Sequence, residues 1–145
     1  MRLRSRPLPS RAFPRGIGRS TRTDTLVTAE EWADDFAQLI RHLDLPSAHI
    51  LGSSHGGSMA MAMALRHPSV VASLLLFGAF SELDRFIVLD FWIPAKFSKI
   101  IAKAIPHSAY VDMPECGHIA VRDDPEGSAR IIKEFLVGRR LAKAG

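Results

Sequence analysis

Three observations predict an α/β fold for this chain of 145 residues. Short apolar runs bounded by proline or glycine alternate with longer runs of helical period. The apolar runs are continuous rather than alternating in polarity, as in strands of a parallel sheet. Between the first of them and the next helix stands "GSSHGG", a glycine-rich turn joining strand to helix. Together they predict βαβ units whose parallel sheet is covered by helices on both faces.

Each element has its own justification. "TAEE" places Thr28 three residues before Glu31 as a capping box. Trp32, Phe36, Leu39, Ile40 and Leu43 then recur at helical spacing, so residues 29–43 are an amphipathic helix. "AHILG" is long enough for a buried strand and too short for a helix. In "GGSMAMAMALRHP" the alanines and methionines leave no polar face before Arg66, which demands cover on most sides, and Pro68 ends the helix. "VVASLLLFG" reads as a second strand and "FIVLD" as a third, followed by a helix from about Ala95 to Ile105. "SAYVDM" is a fourth strand and "PECGH" a loop. "DDPEGSARIIKEFLVG" is a last helix, with Asp124 as cap, Pro125 in its first turn and Gly138 closing it.

Composition bounds the function classes. The apolar share, 47%, suits one globular domain with a core, here residues 23–145. The longest apolar run, residues 70–80, is far shorter than the roughly 20 residues of a membrane-spanning helix, so no membrane partner is expected. A single cysteine, Cys116, excludes an internal disulfide and a cysteine-built metal site, and fits a cytoplasmic setting. The net charge of +4 belongs to the first 22 residues, which hold seven arginines and no acid; the remainder is net acidic. Residues 1–22 are expected to be a poorly ordered, arginine-rich segment. Such a run can meet phosphates or resemble a transit peptide, but only Phe13 is available to stack on a base, and no nucleic-acid partner is expected.

Gly52, Ser54 and Gly56 satisfy G-x-S-x-G between a predicted strand and a predicted helix. In that motif the serine occupies a strained turn, and side chains at the flanking glycines are expected to collide with strand or helix. The following helix points its positive end at Ser54, and the main-chain N–H of His55 is set to donate to a developing oxyanion. Ser54 is the candidate nucleophile; Ser53 is a bystander.

These residues resemble the α/β-hydrolase superfamily, in particular its serine-nucleophile esterase, lactonase and peptidase-like members. "PRGIGRS" is similar to the loop after that family's fourth strand. "ILGSSHGGSMAMAMALRHPSVVASLLLFG" resembles its nucleophile elbow with the next helix and strand, and "PECGH" its histidine loop. The resemblance implies a Ser-His-Asp hydrolase of ester, lactone or amide carbonyls in small molecules, with no metal or organic cofactor. It separates the chain from the dehalogenase and epoxide-hydrolase branches, which carry aspartate at the elbow.

A serine hydroxyl needs a base to take its proton and an acid to orient that base. The family order of serine, acid and histidine puts the base at His118, in the Gly-His loop before the last helix. It puts the acid at Asp90, which ends "FIVL" 28 residues ahead of His118. Relatives that carry the acid one strand earlier make Glu82 or Asp84 the alternative. Cys116 is read as a small loop residue, since nothing nearby marks it as a thiolate.

The resemblance covers the later part of the family's fold, with no cap domain in the short link "SELDR". The family's His-Gly loop, which completes the oxyanion hole, has no counterpart before Ser54. The strand that normally flanks the nucleophile strand is likewise absent, so the expectation is an open, apolar sheet edge through which the chain self-associates or meets a partner. A gene fragment, a non-catalytic remnant and half of an assembly all fit this pattern.

Overall fold

The computed structural model describes residues 12–78, 99–100, 102–103 and 108–138. Helix α1 (Ala29–His42) leads into strand β1 (Ala48–Ser53), helix α2 (His55–Arg66), a 3-10 turn (Pro68–Val70) and strand β2 (Val71–Phe77). After the histidine loop come a short helix α3 (Ala120–Asp123) and α4 (Pro125–Leu136). β1 and β2 pair in parallel, Ile50 with Leu74, Gly52 with Leu76 and Ser53 with Phe77, and α2 is the crossover between them. This βαβ unit is the α/β arrangement that the alternation of runs predicts.

The local signals hold where they rest on capping chemistry. Glu31 N–H donates to Thr28 Oγ1 at 3.2 Å and Thr28 N–H to Glu31 Oε2 at 2.8 Å, closing the capping box. Asp124 accepts from Gly127 N–H at 2.8 Å, Pro125 opens α4, and Gly138 follows it with φ +69°. Val70, read as part of the second strand, instead ends the 3-10 turn, because Pro68 initiates that turn before the ladder begins.

The core lies between α1, α2 and the first residues of the strands. Ala33, Ala37, Ile40, Met63 and Val70 are buried there, flanked by Phe36, Ala48, Ile50 and Val71. Small residues at 33 and 37 let α1 approach α2 closely, and burying Met63 contributes about 1.5–3 kcal/mol. Asp34 ties the two helices from outside the core. Its carboxylate accepts two hydrogen bonds from Arg66, at 3.0 and 2.8 Å, and lies 2.6 Å from His67 Nε2. Those partners, Arg66 before His67, hold the Asp34 carboxyl down to about 2. On the other face of the sheet Leu75 is buried beside a half-exposed Leu51.

Two expectations need amendment. Residues 108–113, expected as a strand, form no ladder among the described residues. Apolar character there sets burial, with Tyr110, Val111 and Met113 half-buried, whereas a strand also requires a paired neighbour. The short helix α3 between His118 and Asp124 was not foreseen, since four residues carry no readable period. The third strand, residues 86–90, lies outside the described residues. So does most of the helix expected near 95–105, although Lys99, Ile100, Ala102 and Lys103 are helical.

Residues 13–21 fold into turns against α1. Gly16 N–H donates to Thr21 O at 2.8 Å, Trp32 Nε1–H donates to Arg15 O at 3.0 Å, and the Arg15 guanidinium pairs with Asp35. No helix among the described residues is long and apolar enough to cross a membrane.

Candidate active site

β1 delivers Ser54 to the point where α2 begins. Ser54 has φ +54° and ψ −123°, a positive-φ conformation that costs a non-glycine residue about 1–3 kcal/mol. Two main-chain bonds hold it there: Ser54 N–H donates to Phe77 O at 2.9 Å, and Gly57 N–H donates to Ser54 O at 2.8 Å. Ser54 is also the N-cap of α2, so the positive end of a 12-residue helix lies beside its hydroxyl.

The two motif glycines play unequal parts. A Cβ on Gly52 would stand 2.3 Å from Gly56 O and 2.8 Å from Gly57 N, so β1 and the first turn of α2 meet backbone to backbone. A Cβ on Gly56 would have no neighbour within 4 Å among the described residues. The expectation that both glycines avoid a collision is therefore corrected. Gly56 supplies the backbone that crowds Gly52, while its own Cα is uncrowded by the described residues.

His118 reaches Ser54 from 64 residues further along the chain, its Nε2 lying 2.8 Å from Ser54 Oγ. The loop that carries it is fastened on both sides. Cys116 N–H donates to Met113 O at 3.0 Å, and Gly117 N–H donates to the Asp123 carboxylate at 2.9 Å, which explains the role of the unforeseen α3. Gly78, immediately after β2, has φ +53°, and a Cβ there would lie 3.2 Å from His118 Nδ1. The sequence marks Gly78 only as a strand end; its contact with the histidine ring is a tertiary feature with no local signal.

His118 Nδ1 is buried and has no hydrogen-bond partner among the described residues. A buried ring nitrogen left so is costly, and its natural complement behind a serine-paired histidine is a carboxylate. Asp90, Glu82 and Asp84 all lie outside the described residues. His55 is the first residue of α2, where main-chain N–H groups have no intrahelical acceptor.

Cys116 stays apart from this chemistry. Burial, then the carboxylates of Asp124, Asp123 and Glu115, push its thiol up from the ordinary value, the reverse of what a thiolate nucleophile requires. It borders a cleft of about 300 Å³ between residues 111–116 and α4, lined neither by Ser54 nor by His118. Among the described residues no group of histidine, cysteine and acidic side chains is placed to hold a metal ion.

Residues 14–97, more than half of the chain, match the family model described as alpha/beta hydrolase fold. The chain belongs to the α/β-hydrolase fold family. Among curated proteins, this α/β-hydrolase is 38% identical over 74 residues to RutD of Caulobacter sp. (strain K31), a match covering 50% of this chain and 28% of that one. It is 35% identical over 65 residues to the 2-hydroxymuconate semialdehyde hydrolase of Pseudomonas sp. (strain CF600), covering 44% and 23%. The chain thus spans under a third of the length of these relatives. Among solved structures, it matches a thermophilic esterase from Thermogutta terrifontis with a TM-score of 0.77 at 19% identity, over 86% of this chain and 78% of that one. A CIB-like hydrolase from Thermoplasma acidophilum gives 0.72 at 22%, over 85% and 68%. At such identities these two likenesses establish the α/β-hydrolase fold alone.

Proposed function

We propose that the chain carries a serine hydrolase site acting on an ester, lactone or amide carbonyl, with Ser54 as nucleophile and His118 as base. The observation that carries this reading is the 2.8 Å approach of His118 Nε2 to a Ser54 Oγ held on a strained turn at a helix start. Nε2 takes the hydroxyl proton as Oγ attacks the carbonyl carbon. The developing oxyanion meets the main-chain N–H of His55 and the positive end of α2. Collapse expels the alcohol or amine, protonated by His118, and leaves an acyl-enzyme. Water then attacks with His118 again as base, releasing the acid. Asp90 is the proposed partner of His118 Nδ1, with Glu82 or Asp84 in its place as the alternative; a buried Nδ1 with no partner among the described residues supports a carboxylate there.

The reading fits the family and its hydrolase relatives, among them the 2-hydroxymuconate semialdehyde hydrolase. A fluorophosphonate probe tests it, because the probe forms a covalent bond only with an activated serine. Labelling of the folded chain is expected at Ser54, lost in Ser54→Ala and reduced at least a hundredfold in His118→Ala. A folded chain that takes no label is a non-catalytic remnant of the family.

A further inference from the structure

The residue after Ser54 is held by a contact that the chemistry above leaves unused. The His55 ring stands nearly perpendicular to the Trp32 ring of α1, with centroids 5.3 Å apart and planes at 80°, a favoured T-shaped arrangement. His55 is exposed and Trp32 only half-buried, so core packing does not impose the pair. Trp32 is itself fastened. Its Nε1–H donates to Arg15 O at 3.0 Å, and the Arg15 side chain pairs with both carboxylate oxygens of Asp35 on α1. A line of contacts therefore runs from α1 and the 13–21 turn to the residue that follows the nucleophile.

We infer that Trp32 is a positioning residue for the oxyanion donor: it grips the His55 ring so that the main-chain N–H of His55 keeps its aim. This rests on the reading of Ser54 as nucleophile. The physical need is local. A strained residue persists only where its surroundings over-determine it, and Ser54 has its two main-chain bonds for that purpose. His55 is the first residue of a helix, where ends fray and the N–H is unpaired within the helix. Its ring is the handle that reaches beyond the helix, and Trp32 is what holds it. Because an oxyanion bond is directional, a shift of about 1 Å is enough to cost roughly a hundredfold in rate.

Time courses of fluorophosphonate labelling on the full chain, run at several probe concentrations, separate the maximal rate from the half-saturating concentration. Trp32→Ala is expected to lower the maximal rate about tenfold to a hundredfold and to leave half-saturation unchanged. Trp32→Phe, which keeps a ring against His55, recovers most of the loss. His55→Ala removes the same contact from the exposed side, without disturbing α1 and with its N–H retained, and lowers the rate to match. The double variant is no slower than the slower single one, since both delete one contact. A role confined to folding would instead reduce the labelled fraction and leave the rate of the folded molecules intact. A labelled wild type whose maximal rate changes less than about twofold in both single variants, or whose losses add, overturns the clamp alone. An unlabelled wild type overturns the hydrolase reading and the clamp with it.

Discussion

Gly52→Ala and Gly56→Ala form a matched pair in which one methyl group has opposite consequences. At position 52 the new Cβ meets Gly56 O at 2.3 Å, Gly56 C at 2.6 Å and Gly57 N at 2.8 Å. All three obstacles are backbone in the first turn of α2 and have no rotamer to change. That turn must retreat by about an ångström before contacts become ordinary. Overpacking of cores costs about 1–3 kcal/mol, and an obstacle made of backbone places Gly52→Ala near 3 kcal/mol. The same retreat moves the turn that orients Ser54, for roughly a hundredfold loss in labelling rate. At position 56 the Cβ meets nothing among the described residues, and alanine is the better helix former by up to about 1 kcal/mol, so Gly56→Ala is expected to be neutral or stabilising. Urea unfolding followed by circular dichroism measures the first quantity and fluorophosphonate labelling the second. Equal effects of the two substitutions, or a Gly52→Ala variant as stable as wild type, would refute the close-approach argument.

Other predictions concern the supports of the site. The Asp34 carboxyl is held at about 2, below its ordinary value, by Arg66 and His67. Its contribution to stability is therefore complete above about pH 4 and lost as pH falls toward 2. Between those limits the unfolding midpoint of wild type should fall more steeply than that of Asp34→Asn, and added salt should narrow the gap because the group is on the surface. Asp124→Ala removes the acceptor for Gly127 N–H and is expected to cost about 1 kcal/mol, read as a lower thermal midpoint, while Asp124→Asn retains most of the cap.

What was legible in the sequence depended on how local its physics is. The Thr28 and Asp124 caps, the proline stop at 68, the proline start at 125 and the helical period of α1 are all settled within a few residues, and the structure repeats them. "AHILG" against "VVASLLLFG" also read correctly as paired strands around a crossover helix, because a continuous apolar run has few other uses. Ser54 is marked by its turn and His118 by the family resemblance of its loop, but their 2.8 Å approach spans 64 residues and no spacing rule contains it. The inequality of Gly52 and Gly56 was hidden for the same reason. Both are glycines of one motif, and only the path of α2 past β1 decides which of them is crowded. Trp32 read as one more apolar position of α1, although its indole N–H donates to Arg15 O and its ring packs against that of His55.

The end of β2 joins the two halves of the proposed chemistry. Phe77 O receives the Ser54 N–H, so the last carbonyl of the strand fixes the proposed nucleophile. The next residue, Gly78, turns away at φ +53° and lays its Cα against the His118 ring, where a Cβ would press on Nδ1 at 3.2 Å and on His118 O at 3.0 Å. Two consecutive residues thus set the separation of Oγ and Nε2, one by a hydrogen bond and one by the absence of a side chain. A side chain at 78 would need both a left-handed backbone and room that the ring already fills, two costs that add. The serine turn is built by β1 and α2 and the histidine loop by α3 and its Asp123 tether, yet neither assembly contains the reference that aligns it with the other. That reference is the strand end between them, which makes the β1–β2 register, Ser53 opposite Phe77, a determinant of the site as much as of the sheet.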